Sequence, residues 1–314
     1  MQPISRPLAA GTGATWPNSL PFLAIVLTLL IIAHPTLASA QGATARAIVS
    51  SVQHQRPGID GNPGAVGLIL ALLINRPQPL AENTTLMDKD GLLGEDADSA
   101  VQLVCANGAT LVLSGQFDAY LRLGNNGAEC TVYLRAGTAI ATTAPGEPNA
   151  NTIPTIIQYG TVTLGARSTQ FGATIVSDRG APDTRADAFV IEGTVEMQQS
   201  DPAGPAVEPL VLQTGQLLAA HSTQIAAIDD TRFDTMAATY AKLEVQTIPV
   251  AQRAAVEVEL QQAYARTLRH PRDVGAQRSL LAVYRTRGLT NAPAATYHDY
   301  QLNRATNLQP EAIQ

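Results

Sequence analysis

The stretch that decides the fold is VQLVCANGATLVLSGQFDAYLRLGNNGAECTVYLR, residues 101–135. Apolar and polar residues alternate through most of it, which is typical of β-strands with one buried face. The alternation is interrupted at Asn107-Gly108, between Leu113 and Phe117, and at Asn126-Gly127, which gives four strands. Asn-Gly supplies the positive backbone dihedral angles of a hairpin turn. We therefore predict antiparallel strands with one apolar face and one face towards water.

The period-two pattern extends outward from this stretch, from about Ala47 to about Ala227, with glycine and asparagine at short intervals. Two proline-rich segments, residues 145–154 and 201–209, have the composition of surface crossovers between β subregions. We predict a mostly β domain over residues 41–228, built as an antiparallel sandwich or a closed roll.

Beyond Asp229 the apolar spacing changes to 3.6 residues, which predicts a small α-helical domain over residues 229–314. Thr231 and Asp234 form a candidate capping box for its first helix. Asp273 is placed to cap a third helix, which Gly288 ends, and Pro293 begins a fourth. The helical part also holds a basic cluster, which is expected to be a solvated helix face or to dock onto the acidic β part: Arg266, Arg269, Arg272, Arg278, Arg285 and Arg287.

Residues 1–40 have the organisation of a secretory signal peptide. One basic residue, Arg6, precedes an apolar run over residues 20–33, and the small residues Ala38 and Ala40 follow. A helix of this apolar run spans roughly 21 Å, which is short of a hydrocarbon core of about 30 Å. We expect cleavage after Ala40, with retention as a membrane anchor as the alternative.

Export places the two cysteines, Cys105 and Cys130, where disulfides persist. In a flat four-stranded meander their strands would lie roughly 14 Å apart, whereas a disulfide needs Cα atoms within about 7 Å. A bridge between Cys105 and Cys130 therefore predicts that the sheet folds over until their strands face each other. The alternative is a pair of buried free thiols.

No pattern in the sequence indicates catalysis. Phosphate-binding loops, dinucleotide fingerprints and nucleophile elbows are missing, and no histidine has metal-ligand spacing with another. The acidic residues between Asp88 and Asp98 lack the ligand pattern of an EF-hand. We expect no catalytic residue, no cofactor and no metal site. The net charge of −6 makes nucleic acid an unfavourable partner.

Sugar recognition by aromatic stacking is poorly provided for. The single tryptophan lies in the predicted signal peptide, and the alternation assigns Phe117, Phe171 and Phe189 to the core. Three tyrosines are left as possible surface platforms for a sugar ring: Tyr120, Tyr133 and Tyr159.

Residues 80–220 resemble the FecR-domain family in three ordered motifs. The segment from Tyr159 to Phe171, which contains Thr169, is similar to a strand with a Gly-Thr-x-Phe-like turn in that family, although Ser168 stands in the glycine position. Residues 189–195, FVIEGTV, resemble its Val-x-Glu-Gly-x-Val hairpin with Glu192, Gly193 and Val195. Residues 212–216, LQTGQ, resemble its closing Leu-x-x-Gly-Gln with Gly215 and Gln216.

The resemblance implies a FecR-like β domain, and the missing catalytic motifs favour a binding role for it. We expect an exported, periplasmic or extracellular, non-enzymatic binding or assembly module of the cell envelope. Its partner would be an envelope protein or a cell-wall polymer, and no membrane span would remain after signal cleavage. The alternatives are an envelope signal-relay regulator of the iron-citrate type, which is disfavoured because only about nineteen residues precede the apolar run, and a carbohydrate-binding or carbohydrate-active protein.

Overall fold

The computed structural model describes residues 42–55, 77–124, 129–143, 155–166, 169–176, 185–199, 208–219 and 224–307. Within these ranges one mixed sheet contains sixteen strands, and four α-helices follow it. The predicted fold class, mostly β with a C-terminal helical part, is confirmed. The predicted signal peptide with Ala38 and Ala40, the Asn126-Gly127 turn and most of both proline-rich segments lie outside the described residues.

The strands are short except for the seventh and the eighth. The first eight are β1 (Ala43–Val49), β2 (Val52–Gln55), β3 (Gln78–Pro79), β4 (Thr85–Leu86), β5 (Gly91–Gly94), β6 (Ala100–Val104), β7 (Thr110–Gly124) and β8 (Glu129–Thr142). The other eight are β9 (Thr155–Tyr159), β10 (Val162–Ala166), β11 (Gln170–Val176), β12 (Arg185–Glu192), β13 (Thr194–Gln199), β14 (Leu210–Gln213), β15 (Gln216–Leu218) and β16 (Ile225–Ala227).

The long β7–β8 hairpin bends and so belongs to two layers. Its register shifts between Ser114 and Asp118, and Gly115 and Gly137 have φ angles of +80° and +85° there, a conformation that glycine adopts without steric cost. Residues 110–114 of β7 pair with β6, whereas residues 118–120 pair with β5. The bend therefore places one part of each of these two strands in one layer and the other part in the second layer.

We call these the helix-covered layer and the solvent-facing layer. The helix-covered layer consists of β1, β4, β6, β11, β12, β15 and β16 with residues 110–114 and 138–142 of the hairpin. The solvent-facing layer consists of β2, β3, β5, β9, β10, β13 and β14 with residues 118–124 and 129–136. The main apolar core lies between the layers and includes Leu103, Leu111, Leu121 and Val132.

The sheet is open, because its hydrogen-bonded path ends at β14 and at β16. Of the two predicted architectures it is therefore the sandwich that forms. The pairing of β8 with β9 is parallel, and the other strand pairs of the described residues are antiparallel, so the sheet is mixed.

In the described residues four helices follow the sheet: α1 (Asp230–Glu244), α2 (Val250–Arg269), α3 (Val274–Thr286) and α4 (Pro293–Asn307). The predicted cap at Asp273 and the predicted stop at Gly288, whose φ is +71°, are both present. The predicted capping box at Thr231 and Asp234 is wrong. Asp229 has the extended backbone of an N-cap and accepts a hydrogen bond from Arg232 N at 2.8 Å, so the helix begins two residues earlier.

The helices cover the outer face of the helix-covered layer. Val112, Ile140 and Phe189 project from that face into a second apolar core, which they share with Met236 and Tyr240 of α1. The prediction of one wet face is therefore wrong for residues 110–114, where both faces are buried. It is right for residues 118–124, where Asp118, Tyr120 and Arg122 are partly or fully exposed.

Candidate functional site

The two cysteines join the layers covalently. Cys105 directly follows β6 of the helix-covered layer, and Cys130 lies on β8 within the solvent-facing layer. They form a disulfide with a Cα–Cα distance of 6.2 Å, and both residues are buried. The predicted bridge and the predicted folding-over of the sheet are both confirmed.

The two segments around Gly193 and Gly215, whose sequences resemble FecR motifs, form layer crossings and not hairpins. The chain passes at Gly193 from β12 in the helix-covered layer to β13 in the solvent-facing layer, and at Gly215 it returns from β14 to β15. The strands on either side of each turn do not pair with one another. The predicted hairpin at Glu192-Gly193 is therefore wrong, although both glycines have the positive φ angles that a tight turn requires, +94° and +76°.

The two crossings are hydrogen-bonded to each other at one corner of the sandwich, here called the motif corner: Thr169, Glu192, Gly193, Thr214 and Gly215. The Thr214 hydroxyl accepts from Gly193 N at 2.9 Å and donates to Gly193 O at 3.2 Å. Gly215 N donates to Val190 O at 2.7 Å. A Cβ on Gly193 would overlap Cγ2 of Thr169. The structure thus brings three separate sequence motifs together.

The carboxylate of Glu192 connects the motif corner to α4. Glu192 is 1% exposed, accepts a hydrogen bond from the Tyr297 hydroxyl at 2.8 Å and lies 3.9 Å from the Arg304 guanidinium. Burial raises the pKa of Glu192, and Tyr297 and Arg304 partly oppose that rise. A motif residue of the β part therefore fixes the position of the last helix.

The remaining motif residues are structural. Phe171 and Val195 are buried in the core between the layers. The Gln216 side chain accepts a hydrogen bond from Gln213 N at 2.7 Å, across the second crossing.

A second buried carboxylate, Glu244, lies where the helices meet the sheet. Gln102 and Tyr284 donate hydrogen bonds to its side chain, and burial raises its pKa to about 7. Its Oε1 atom is buried and has no hydrogen-bond partner among the described residues. The Tyr240, Tyr264 and Tyr284 rings pack around it. Sequence reasoning missed Glu244, because its charge is hidden on an otherwise apolar helix face.

His298 lies in the same interface, hydrogen-bonded through Nδ1 to Gln277 Oε1 at 2.9 Å. Burial lowers its pKa to about 3, so the neutral ring is favoured. Because its ring is enclosed by Tyr264 and Tyr297, His298 has the structural role expected of a lone histidine.

Two of the three tyrosines, Tyr120 and Tyr133, are partly exposed and stack on each other. Tyr120 and Tyr133 are cross-strand partners, with ring centroids 4.4 Å apart and planes within 3° of parallel. The Arg135 guanidinium lies 5.2 Å from the Tyr120 centroid. The rings therefore cover each other. Tyr159 is only 5% exposed, so its predicted surface position is wrong.

The charged clusters are used in local pairs. Asp90 of the acidic cluster is buried and accepts from Met87 N at 2.9 Å. In the described part of the chain no three His, Cys, Asp or Glu residues are placed to hold a metal ion. Four arginines of the basic cluster pair with acidic residues of the helical part, so these four do not dock onto the β part: Arg266, Arg269, Arg285 and Arg287.

A cleft of about 350 Å³ lies between α1 and the helix-covered layer. One wall is a cross-strand row of Ser114, Thr138 and Thr174, and the other wall is the threonine side of α1. Ile140, Phe189 and Met236 form an apolar side, and Arg232 lines the cleft beside Asp229. We call this the hydroxyl cleft. Its volume is in the range of about 300–1,000 Å³ that small-molecule sites have.

The hydroxyl cleft was missed at the level of sequence, although a signal for it exists. Thr231, Thr235 and Thr239 recur every four residues and so share one side of α1. Threonine is a weak helix former, so three of them in one stripe of a fifteen-residue helix are unusual. The facing row on β7, β8 and β11 could not be found, because it depends on strand register.

Comparison with known proteins gives weak structural similarity. No family model matches the chain and no curated protein matches it, so the FecR resemblance stays a prediction. Two crystal structures described as a "putative anti-sigma factor" from Parabacteroides distasonis are similar to it at 12% identity, with TM-scores of 0.31 and 0.33. The matches cover 43% and 45% of this chain and 57% and 62% of those chains.

Proposed function

We propose that this protein is an exported, non-enzymatic binding or assembly module of the cell envelope. The observation that carries the proposal is the buried Cys105–Cys130 disulfide, which joins the two layers of the sandwich. Disulfides form and persist in oxidising compartments and are rare in reducing ones. A fold that contains such a cross-link is therefore expected outside the reducing cytosol.

Two further features support the proposal. The sequence of residues 1–40 has the organisation of a signal peptide. The solvent-facing layer offers an exposed sheet surface for contact with an envelope protein or a cell-wall polymer, with polar Glu196 and Gln198 and apolar Leu93 and Val211 on it. Among the described residues, no helix has the length and apolarity that crossing a membrane requires.

Thiol trapping in intact cells tests the compartment. Cells producing the protein are treated with an alkylating agent, and the mass of the protein is then determined before and after reduction. We expect both cysteines to be protected until reduction and the mature chain to begin at Gln41. Full-length protein that begins at Met1, lies in the cytosol and has two reactive thiols would contradict the proposal.

Removal of the bridge tests its structural role. The double variant C105A/C130A is expected to lose about 3 kcal/mol of unfolding free energy, because the bridge closes a loop with a sequence separation of 25 residues. Urea unfolding of the oxidised wild type and of the variant measures the difference. Equal stability of the two proteins would show that the cross-link has no role in the fold.

The binding role itself is tested by cross-linking in the native host, followed by mass spectrometry of the captured partners. Envelope proteins or cell-wall fragments are the expected products. Capture of cytoplasmic transcription proteins alone, or turnover of any substrate by the purified protein, would contradict a binding module of the envelope.

A further inference from the structure

The hydroxyl cleft has the donors and acceptors of a ligand site and not those of a packing seam. A helix packed on a sheet for stability alone would present apolar side chains along that seam. The side of α1 that faces the cleft presents three threonines instead, opposite Ser114, Thr138 and Thr174 of the sheet. Six hydroxyl groups therefore line two facing walls.

The hydrogen bonds already made by these hydroxyls determine what remains for a ligand. Thr235 Oγ1 donates to Thr231 O at 2.9 Å, and Thr239 Oγ1 donates to Thr235 O at 3.0 Å. Their hydrogens are used by the helix, so both oxygens face a ligand as acceptors. The Thr138 and Thr174 hydroxyls are 3.1 Å apart and share a single hydrogen bond, which leaves one of their two hydrogens available as a donor.

Arg232 adds a further donor. Its Nη2 pairs with Asp187, and its guanidinium lies 5.4 Å from the centroid of the Phe189 ring. Its Nη1 atom is buried, and none of the described residues accepts a hydrogen bond from it. A buried guanidinium nitrogen without an acceptor is costly, and a ligand oxygen in the cleft would satisfy it.

The charges around the cleft favour an uncharged ligand. Arg232 is paired with Asp187, and its Nε lies 4.0 Å from Asp229. The positive charge is therefore balanced, and an anion entering the cleft would meet the Asp229 carboxylate, which lines it. A ligand with several hydroxyl groups and an apolar face matches the hydroxyl walls and the apolar side formed by Ile140 and Met236.

We propose that the hydroxyl cleft binds a neutral saccharide, recognised edge-on by the threonine oxygens and by Arg232 and not by aromatic stacking. This inference deepens the proposed function and rests on it, since it supplies a ligand class for the binding module. Mouth residues Thr231 and Thr235 are exposed, so a sugar can enter from solvent.

Titration calorimetry with amide NMR tests the proposal on the purified, oxidised protein. The probes are three neutral disaccharides, cellobiose, maltose and N,N′-diacetylchitobiose, with glucuronate as the anionic comparison. We expect at least one neutral disaccharide to bind and to shift amide signals of α1 and of residues 138–140. The absence of binding by all three, or binding of glucuronate alone, would overturn the proposal.

Matched threonine variants locate the site. The double variant T235V/T239V keeps the shape of both side chains and removes two acceptors, so it should weaken binding about tenfold or more. Thr286 also bonds back to its own helix, to Val283 O at 3.1 Å, but lies on α3, so T286V should bind within about twofold of wild type. Unchanged binding by T235V/T239V would overturn the assignment to this cleft.

The outcomes of these experiments are separable from those of the localisation tests. Saccharide binding by a protein that is found reduced in the cytosol would support the proposed ligand of the cleft and contradict the proposed export. Loss of all saccharide binding in an exported, oxidised protein would reject the cleft and leave the binding module intact.

Discussion

Gly193 shows why one motif position requires glycine. Two separate factors act on it, a positive φ of +94° and the contact of an added Cβ with Thr169. Gly215 has only the first factor, because a Cβ there would meet nothing within 4 Å, and Gly165 has neither. Alanine substitutions at the three glycines therefore separate the cost of backbone strain from the cost of steric overlap.

We expect G193A to lower the free energy of unfolding by about 2 kcal/mol or more, G215A by about 1 kcal/mol and G165A by less than about 0.5 kcal/mol. Urea denaturation followed by circular dichroism measures all three. Equal effects of G193A and G215A would mean that Thr169 moves aside without cost, and that strain alone makes the glycine necessary.

Glu244 makes stability depend on pH. Its pKa is raised from 4.5, the ordinary value for a glutamate, to about 7 in the folded protein. Between these two pH values the folded state binds more protons than the unfolded state, so the free energy of unfolding falls as pH rises. His298 has the opposite effect, because its lowered pKa makes stability rise with pH between about 3 and 6.5.

E244Q isolates the Glu244 contribution, because His298 is common to both proteins and cancels in the difference. We expect the free energy of unfolding of E244Q, minus that of wild type, to be about 2 kcal/mol larger at pH 8 than at pH 5. Unfolding at both pH values measures the change, and E196Q on the exposed strand face is the control. A difference that is the same at pH 5 and pH 8 would contradict a raised pKa.

Helix α1 shows at the element scale how a sequence signal can point to the wrong residue. Thr231 and Asp234 have the spacing of a capping box, yet Asp229 caps the helix through Arg232 N. Sequence spacing cannot tell a cap from an inner residue of the first turn, because both positions favour the same residue types.

Removal of each side chain distinguishes the two positions. D229A should cost about 1 kcal/mol of unfolding free energy, whereas T231A should cost less than about 0.5 kcal/mol. Thermal and urea unfolding of both variants provide the measurement. A larger loss of unfolding free energy for T231A than for D229A would support Thr231 as the N-cap and contradict Asp229.

The β7–β8 hairpin also differs from what the sequence predicts. The sequence indicates separate strands before and after Ser114-Gly115, whereas the structure has one continuous β7 that bends there. A glycine inside an alternating pattern is compatible with a turn and with a bulge. The two cysteines favour the bulge over the turn, because a bridge between them requires the sheet to fold over.

At the scale of the whole molecule, the helices and the sheet depend on one another. Val112, Ile140 and Phe189 are each about 1% exposed beneath the helices, and Glu192 is paired with Tyr297 and Arg304 of α4. Without residues 229–314 this apolar face would meet water, and such surfaces promote aggregation.

We therefore predict that a chain ending at Ile228 aggregates or remains unfolded, although it contains every strand and both cysteines. Size-exclusion chromatography and circular dichroism of this truncation test it against the full chain. A monomeric, cooperatively unfolding truncation would show that residues 41–228 form an independent domain.

Features that depend on local periodicity and composition could be predicted from the amino-acid sequence. The alternation predicted the strands and the 3.6 spacing predicted the four helices, because both features follow from neighbours along the chain. A bridge between the two cysteines predicted a folded-over sheet, because a disulfide limits the distance between their strands. The tertiary structure alone decided that the Glu192-Gly193 turn crosses between layers, that Glu244 is buried, and that two rows of hydroxyls face each other across a cleft. Those features depend on strand register and on the packing of α1 over the sheet. They bring together residues that are far apart in sequence and come into contact only in the folded chain.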